Sequence, residues 1–200
     1  MVINKVLTHE IIMELKKLFC EYCFKNISVK DIVTIIGISR SSFYNHFSSK
    51  EECLYEVAVY NAEIYLNKMM EAMLVIHSDQ SKTIESLVDI QLDFTYGHRL
   101  LYANITYALN NTHHPDLNKK LFQHELDLTY KIEDLYRKAI TVYKPNISKE
   151  ELNEKIGFLI TMSAGINVLR AGNVSVNDEK YLTEHFQYPF RKILLDYLLR

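Results

Sequence analysis

Residues 28–47 contain two short amphipathic segments separated by one glycine, and this arrangement constrains the fold more than any other feature. Ser28 precedes the first segment and Asp31 follows three residues later, which predicts a capping box at a helix N-terminus. Gly37 follows that segment and can adopt the positive φ that ends a helix. Ser39 then precedes a second segment of similar length. Two short helices joined by a glycine turn have the proportions of a helix-turn-helix.

The second segment carries side chains that suit a DNA groove. Its apolar residues, Phe43 and Phe47, have the spacing of one buried helix face. One base and no acid occur among the other side chains, as expected of a helix that enters a major groove. These polar side chains are Arg40, Ser41, Ser42, Tyr44, Asn45 and His46.

The remainder of the chain predicts long helices. Five Gly and three Pro in 200 residues are too few for the frequent turns of a β fold. Apolar residues recur instead at spacings of three and four, so we predict an all-α fold of about nine helices. Besides the two short helices, helical patterns run from about residue 8 to 24, 48 to 74, 83 to 110 with a bend near Gly97, 116 to 143, 148 to 171 and 182 to 198.

Several properties predict a cytoplasmic protein without a membrane segment. No stretch approaches the roughly 18 uncharged apolar residues of a membrane span, and the first five residues lack the features of a signal peptide. The three cysteines are an odd number, which does not suit a disulfide framework. We interpret Cys20, Cys23 and Cys53 as core residues, with a thiol switch as the alternative.

Charge is distributed unevenly along the chain. Residues 1–50 contain seven Lys or Arg and four Asp or Glu, whereas residues 51–200 contain sixteen and twenty-one. A mildly basic N-terminal module on an acidic body is consistent with a small DNA reader attached to a larger domain. A solvated surface without a DNA partner would give the same balance.

The segment from Ile27 to Leu54 resembles the DNA-binding signature of the TetR family of transcriptional regulators. The resemblance covers about residues 9–56. Cys23, Val33, Ile36 and Ser41 depart from the small residues that are usual in the family. The elements that match are Ser28-Val-x-Asp-Ile32, Gly37-Ile-Ser39, Tyr44-x-His-Phe47 and Ser49-Lys-Glu51.

The resemblance implies two groups of contacts with double-stranded operator DNA. Phosphate contacts set the position of a protein on DNA, and contacts with base edges confer specificity. The alternative for each residue is an ordinary solvated or capping side chain. The implied phosphate contacts are Ser28, Ser42, Tyr44, His46 and Lys50. The candidate base contacts are Arg40, Ser41 and Asn45.

The resemblance also implies a domain plan and a homodimer. Residues 1–50 would form the DNA-binding domain, and residues 51–200 a helical domain for effector binding and dimerisation. The last two helices would pair with those of a second copy, because two recognition helices must reach half-sites about one DNA turn apart. The candidate interface residues are Ser163, Ala164, Phe186, Phe190, Leu194, Tyr197 and Leu198.

A small-molecule effector is expected among the middle helices. Aromatic-rich walls without net charge would suit a largely apolar or planar ligand. The alternative is that these residues are plain core residues. The candidate lining residues are Phe94, Tyr96, His98, Tyr102, Asn104, Tyr107, Phe122, Tyr130, Met162 and Asn167.

We therefore predict a transcription regulator, in the form of a repressor that a ligand releases from its operator. One alternative is a DNA-binding accessory or structural protein of the same fold without an effector. Another is an all-α enzyme or metal protein in which residues 28–47 only imitate a helix-turn-helix. We expect no catalytic site, cofactor or metal, because the sequence contains no phosphate-binding glycine loop or nucleophile elbow. His98, His113, His114 and His124 also lack a metal-ligand spacing.

Overall fold

The chain is all-α. The computed structural model describes residues 2–76, 78–97, 99–111, 115–172 and 183–200, and these form nine α-helices without a strand. A 3-10 turn, Phe24–Asn26, follows α1, and a π-helical turn, Thr183–Gln187, precedes α9. The prediction of about nine helices is confirmed. The helices are α1 Val2–Glu21, α2 Val29–Ile36, α3 Arg40–His46, α4 Lys50–Met73, α5 Gln80–Gly97, α6 Arg99–Asn111, α7 Pro115–Tyr143, α8 Lys149–Gly172 and α9 Tyr188–Leu199.

Helix α1 differs from its prediction at both ends. It includes Val2, so Thr8 lies within the helix and does not cap it. Neither Gly nor Pro occurs before Thr8 to stop the helix from extending toward the N-terminus. At the other end α1 stops at Glu21, and Cys23 has an extended backbone before the 3-10 turn.

The single helix predicted over residues 83–110 is two helices. The break between α5 and α6 falls beside Gly97, where a bend was expected. Helix α5 also begins earlier than predicted, because the Asp79 carboxylate accepts a hydrogen bond of 3.1 Å from the backbone N–H of Lys82. Such a bond satisfies one of the unpaired N–H groups of the first turn.

The start of α8 is capped on one side only. The Ser148 hydroxyl accepts a hydrogen bond of 3.1 Å from the Glu151 N–H, as predicted. The Glu151 carboxylate, however, accepts from the Lys144 ammonium at 2.7 Å instead of returning to the backbone. The predicted loop after α8 lies outside the described residues over 173–178.

Two compact units can be distinguished by their contacts. The first comprises residues 1–63 and 98–125, and the second comprises residues 64–97 and 126–200. The functional boundary at residue 50 stays a prediction. No helix in the described ranges combines the length and apolar character needed to cross a membrane.

Each unit has its own apolar core. In the first unit the core joins α1 to α2, α3, α4 and α6, and its fully buried side chains include Leu15, Phe19, Ile32 and Phe43. In the second unit, residues of α4, α5, α7, α8 and α9 form the core. Its fully buried side chains include Met69, Ile84, Leu87, Tyr136, Ile140 and Ile156.

The turn between α2 and α3 depends on Gly37. This residue has φ of 72° and ψ of 29°, and its N–H donates to the carbonyl of Val33. No atom lies within 4 Å of a Cβ built on Gly37, so the backbone conformation alone selects glycine. The helix end predicted here from the sequence is confirmed.

We expect Gly37→Ala to lower the free energy of unfolding by about 1 kcal/mol, because an L side chain is strained in the left-handed region. Urea denaturation followed by circular dichroism measures the change. Gly37→Asn is the control at the same position, since asparagine tolerates this conformation better, and it should lose less. Equal losses for the two variants would contradict the assignment of the cost to backbone strain.

Candidate nucleic-acid interface

A complete capping box fixes the start of α2. The Ser28 hydroxyl accepts from the Asp31 N–H at 3.3 Å and donates to the Asp31 carboxylate at 2.6 Å. The same carboxylate accepts from the Ser28 N–H at 2.8 Å. These hydrogen bonds from Ser28 lower the pKa of Asp31. The predicted capping box is confirmed, and it already engages the Ser28 hydroxyl, which remains exposed.

Aromatic side chains orient α3, the predicted recognition helix. Ser39 caps it by accepting a hydrogen bond of 2.9 Å from the Ser42 N–H. Phe43 and Phe47 are 0% and 2% exposed, and their ring centres are 5.3 Å apart. Because these two rings face the core of the first unit, the opposite side of α3 faces outward.

The outward side of α3 gathers the predicted DNA contacts. Arg40, Ser41, Tyr44 and Asn45 are exposed, while Ser42 and His46 are partly buried. The guanidinium carbon of Arg40 lies 5.8 Å from the ring centre of Tyr44. A cation at this distance over an aromatic face is attracted to it. The helix therefore presents a basic, donor-rich surface with one cation already oriented.

Helix α4 begins at Lys50 because Ser49 caps it. The Ser49 hydroxyl accepts from the Glu52 N–H at 3.0 Å. The Glu52 carboxylate in turn accepts from the hydroxyl and the N–H of Ser48, and these bonds lower the pKa of Glu52. Lys50 thus lies in the first turn of a helix, where the dipole and the free N–H groups favour an anion.

The Lys50 side chain has a structural role that the sequence did not indicate. Its ammonium donates to the carbonyls of Phe24 and Ile27, both at 2.9 Å, and lies 4.1 Å from the ring centre of Phe24. Burial lowers the pKa of this ammonium. An ammonium has three N–H donors, so two carbonyl partners are compatible with a phosphate contact as well. That contact stays a prediction.

Asn104 occupies a different environment from the expected ligand cavity. It is 4% exposed and belongs to the first unit. Its amide nitrogen donates to the carbonyls of Phe19 and Tyr22, both at 2.9 Å. Its oxygen accepts from the Phe24 N–H at 2.8 Å. Asn104 therefore holds the end of α1, and its placement in a ligand lining is corrected. Its partners are 80 to 85 residues away in sequence, which no local pattern reveals.

The other expected ligand residues separate into three groups. Phe94 and Met162 are half-buried against the core of the second unit. Tyr107, Phe122 and Tyr130 are 38%, 65% and 60% exposed. Their place in a ligand lining stays a prediction. The inward faces of α6 and α7 include buried aliphatic residues such as Leu101, Leu121 and Leu128. The side chains of Tyr96, Tyr102 and Asn167, and the whole of His98, lie outside the described residues.

Tyr65 is a polar group that the sequence did not single out. Its ring stacks on Phe94 with centres 4.1 Å apart and planes at 13°. The hydroxyl is buried, and no hydrogen-bond partner for it occurs among the described residues. Burial raises the pKa of Tyr65, so the hydroxyl remains a neutral donor. Tyr65 fits the apolar stripe of α4, which is why the pattern predicts only a core residue there.

A polar network lies in the same core. Tyr136 is fully buried and donates to the side-chain oxygen of Gln91 at 2.7 Å. The Gln91 nitrogen donates to the hydroxyl of Ser163 at 2.6 Å. Ser163, expected at a dimer interface, is therefore bound within its own chain. The side chain of Ala164, another expected interface residue, lies outside the described residues.

The expected interface residues of α9 and of the π-helical turn before it differ in exposure. Phe190, Leu194 and Leu198 are 7%, 1% and 1% exposed and already packed in the core of the second unit, and their assignment to a dimer interface stays a prediction. A spacing of four keeps these three on one inward face. Phe186 is 45% exposed, and half-buried Tyr197 packs on Phe158 with ring centres 4.4 Å apart. The outward apolar residues that the prediction missed are Tyr188 and Ile193, at 62% and 50% exposure.

The capped helices α2 and α3, with the polar outward side of α3, form a helix-turn-helix, a motif that defines a class of DNA-binding regulators. The family model for bacterial regulatory proteins of the tetR family matches residues 11–57. The HTH-type transcriptional regulator SAR2658 of Staphylococcus aureus (strain MRSA252) is 27% identical over 127 residues, or 62% of this chain and 68% of that protein. These comparisons support a TetR-type transcriptional regulator, and the family match itself covers residues 11–57.

Solved structures agree with the fold. The TetR family transcriptional regulator PfmR from Thermus thermophilus has a TM-score of 0.65 and 17% identity, over 93% of this chain and 97% of that one. A TetR-family transcriptional regulator from Bordetella parapertussis 12822 has a TM-score of 0.51 and 17% identity, over 94% and 92%. At this identity the likeness concerns the fold alone.

We expect Tyr65→Phe to raise the free energy of unfolding by about 1 kcal/mol, because it removes a buried hydroxyl that pays a desolvation cost without a hydrogen bond. Chemical denaturation of the ligand-free protein measures the change. Tyr136→Phe is the matched control: it removes a buried hydroxyl that does have a partner, and it should lower stability by about 1 kcal/mol. A loss for Tyr65→Phe as large as that of the control would show that its hydroxyl is satisfied.

Proposed function

We propose that this chain is a homodimeric, ligand-responsive repressor. In this proposal α3 enters the major groove of operator DNA, and a small, largely apolar or aromatic molecule releases the complex. The observation that carries the proposal is the capped, outward face of α3, on which Arg40 is oriented by Tyr44. The family match supports DNA binding and regulation of transcription.

The proposed DNA contacts follow the exposure of the side chains. Arg40, Ser41 and Asn45 are the proposed base contacts, since arginine pairs well with guanine and asparagine with adenine. The exposed ring of Tyr44 sits beside Arg40, where its hydroxyl can bind a phosphate. The remaining proposed phosphate contacts are Ser28, Ser42, His46 and Lys50.

An outward surface on α8 and α9 supports the proposed dimer. A groove of about 540 Å³ lies between these helices and is lined in part by Phe158, Ile193 and Tyr197. Gly157 and Gly165 are exposed on α8, and no atom lies within 4 Å of a Cβ built on either. Small residues let a partner helix approach closely, and exposed apolar side chains favour burial against a second copy.

The second unit supports the proposed effector site. The Phe94 ring is half-buried and stacked on Tyr65, whose hydroxyl is a buried donor. A planar aromatic ligand with a hydrogen-bond acceptor would satisfy that hydroxyl and add to the stack. Addition of aromatic carbonyl compounds to a preformed protein–DNA complex tests for release. A complex that no such compound releases would favour an accessory DNA-binding protein of the same fold.

The DNA-binding proposal predicts a specific loss on changing α3. DNA is selected from a random library with the wild-type chain, and dissociation constants are measured at two salt concentrations. We expect Arg40→Ala to weaken binding to the selected DNA about tenfold or more, because a bidentate base contact is worth about 1–3 kcal/mol. Binding of unrelated DNA should change much less, since phosphate contacts dominate it.

Lys138→Ala is the control for the loss of a positive charge, because Lys138 is exposed and pairs with Asp134 within α7. It should bind the selected DNA as the wild type does. Failure of the wild-type chain to enrich any DNA sequence would overturn the regulator proposal.

The dimer proposal predicts that a charge on α9 separates the subunits. Ile193→Glu should give a monomer at micromolar concentration, because it places a carboxylate at the proposed apolar contact. Sedimentation equilibrium measures the mass. Ile35→Glu is the matched control, since Ile35 on α2 is 49% exposed and Ile193 is 50% exposed. A dimer that survives Ile193→Glu would place the interface elsewhere.

A further inference from the structure

The α1–α2 junction, residues 19–27, is held by two side chains from distant parts of the chain. Lys50 donates to the carbonyls of Phe24 and Ile27. Asn104 bonds the carbonyls of Phe19 and Tyr22 and the N–H of Phe24. A helix leaves its last carbonyls without partners in the helix, and these must be satisfied when they are buried. Helix α6 therefore completes the end that α1 leaves open, and Lys50 of α4 satisfies carbonyls of the 3-10 turn and of Ile27 after it.

The Asn104 amide is fully committed to this junction. An asparagine amide offers two N–H donors and one carbonyl oxygen, and each group has a backbone partner at 2.8 to 2.9 Å. The side chain is 4% exposed, so water competes little for these bonds. Two carbonyl partners on one side and an N–H on the other also fix the orientation of the amide. No other common side chain of this size supplies that set of groups.

Residue Phe24 connects the two side chains. Its N–H binds Asn104, and its carbonyl binds the ammonium of Lys50. Its ring lies under the same ammonium, with 4.1 Å between Nζ and the ring centre. Phe24 itself is 3% exposed and anchored in the core of the first unit. The bonds of Asn104 and Lys50 therefore meet on the backbone of one residue.

We infer that Asn104 is a positioning residue for DNA binding. It holds the α1–α2 junction so that the Phe24 carbonyl orients the Lys50 ammonium at the first turn of α4. Asn104 does not face DNA in this arrangement; it acts through Phe24 and Lys50. The inference rests on the proposed function in that Lys50 is taken to contact a DNA phosphate.

Asn104→Asp tests the inference with a near-isosteric change. A carboxylate can still accept from the Phe24 N–H, but it cannot donate to the carbonyls of Phe19 and Tyr22. Asn110→Asp is the matched control on the same helix: Asn110 is exposed, and its amide donates to the Thr106 carbonyl within α6. The third variant is Lys50→Met, which retains most of the length of the side chain without its charge.

The first readout is binding of the selected DNA at several salt concentrations. We expect Asn104→Asp and Lys50→Met each to weaken binding about tenfold and to reduce the salt dependence by about one phosphate contact. The double variant should bind no more weakly than the weaker single variant, because both changes remove one contact. Asn110→Asp should bind like the wild type. Losses that multiply in the double variant, or an Asn104→Asp variant that equals the control, would overturn the inference.

The second readout needs no DNA. Amide exchange of Tyr22, whose N–H donates to the Leu18 carbonyl at the end of α1, should be faster in Asn104→Asp and unchanged in Asn110→Asp, because Asn104→Asp loses the bonds to the Phe19 and Tyr22 carbonyls that hold this helix end. A Tyr22 amide as well protected in Asn104→Asp as in the wild type would overturn the inference even if DNA binding were weaker. If circular dichroism shows that Asn104→Asp does not fold, Asn104→Ser, whose hydroxyl keeps one donor, replaces it with the same expected and contrary outcomes.

A wild-type chain that binds no DNA would overturn the proposed function, whereas normal wild-type binding with an unaffected Asn104→Asp overturns this inference alone.

Discussion

Burial of four phenylalanine rings in the first unit determines which side of α3 faces outward. Each of these rings is at most 3% exposed, and they belong to Phe19, Phe24, Phe43 and Phe47. Two of them, Phe19 and Phe43, are fully buried. The pairs Phe19–Phe24 and Phe43–Phe47 contact each other at 5.9 and 5.3 Å between ring centres. Large aromatic rings supply much apolar area and allow few arrangements. Once Phe43 and Phe47 are inside, Arg40 and Tyr44 must be outside.

Buried polar side chains then form the hydrogen bonds to the backbone that apolar packing cannot supply. Asn104 satisfies three backbone groups in the first unit. In the second unit, Lys155 is 5% exposed, and its ammonium donates to the Tyr197 carbonyl and lies 5.0 Å from the ring centre of the same residue. Burial lowers the pKa of Lys155. Tyr65 is the contrasting case, because its buried hydroxyl has no partner among the described residues. Buried polar side chains with hydrogen-bond partners hold the backbone in place. A buried donor without a partner can bind a hydrogen-bond acceptor of a ligand.

Local chemistry made the helix-turn-helix predictable. A capping box, a glycine with positive φ and a serine cap each act over three or four residues, so their sequence spacing is also their spatial spacing. Ser28, Gly37 and Ser39 have these roles in the structure. Helix periodicity likewise placed Phe43 and Phe47 inside. The same reasoning does not settle α9, because apolar residues occur on both of its faces and periodicity alone does not say which face turns inward.

The sequence by itself determined the all-α class, the two short helices and their caps, and the polar composition of the α3 surface. Tertiary structure decided that Asn104 holds the end of α1, that Lys50 binds the Phe24 and Ile27 carbonyls, and that Phe190, Leu194 and Leu198 face inward. The physical reason is the distance along the sequence between the residues that interact. Caps and turns are bonds between near neighbours in the chain, whereas these contacts join residues 23 to 85 positions apart, and only the packing of whole helices brings such residues together.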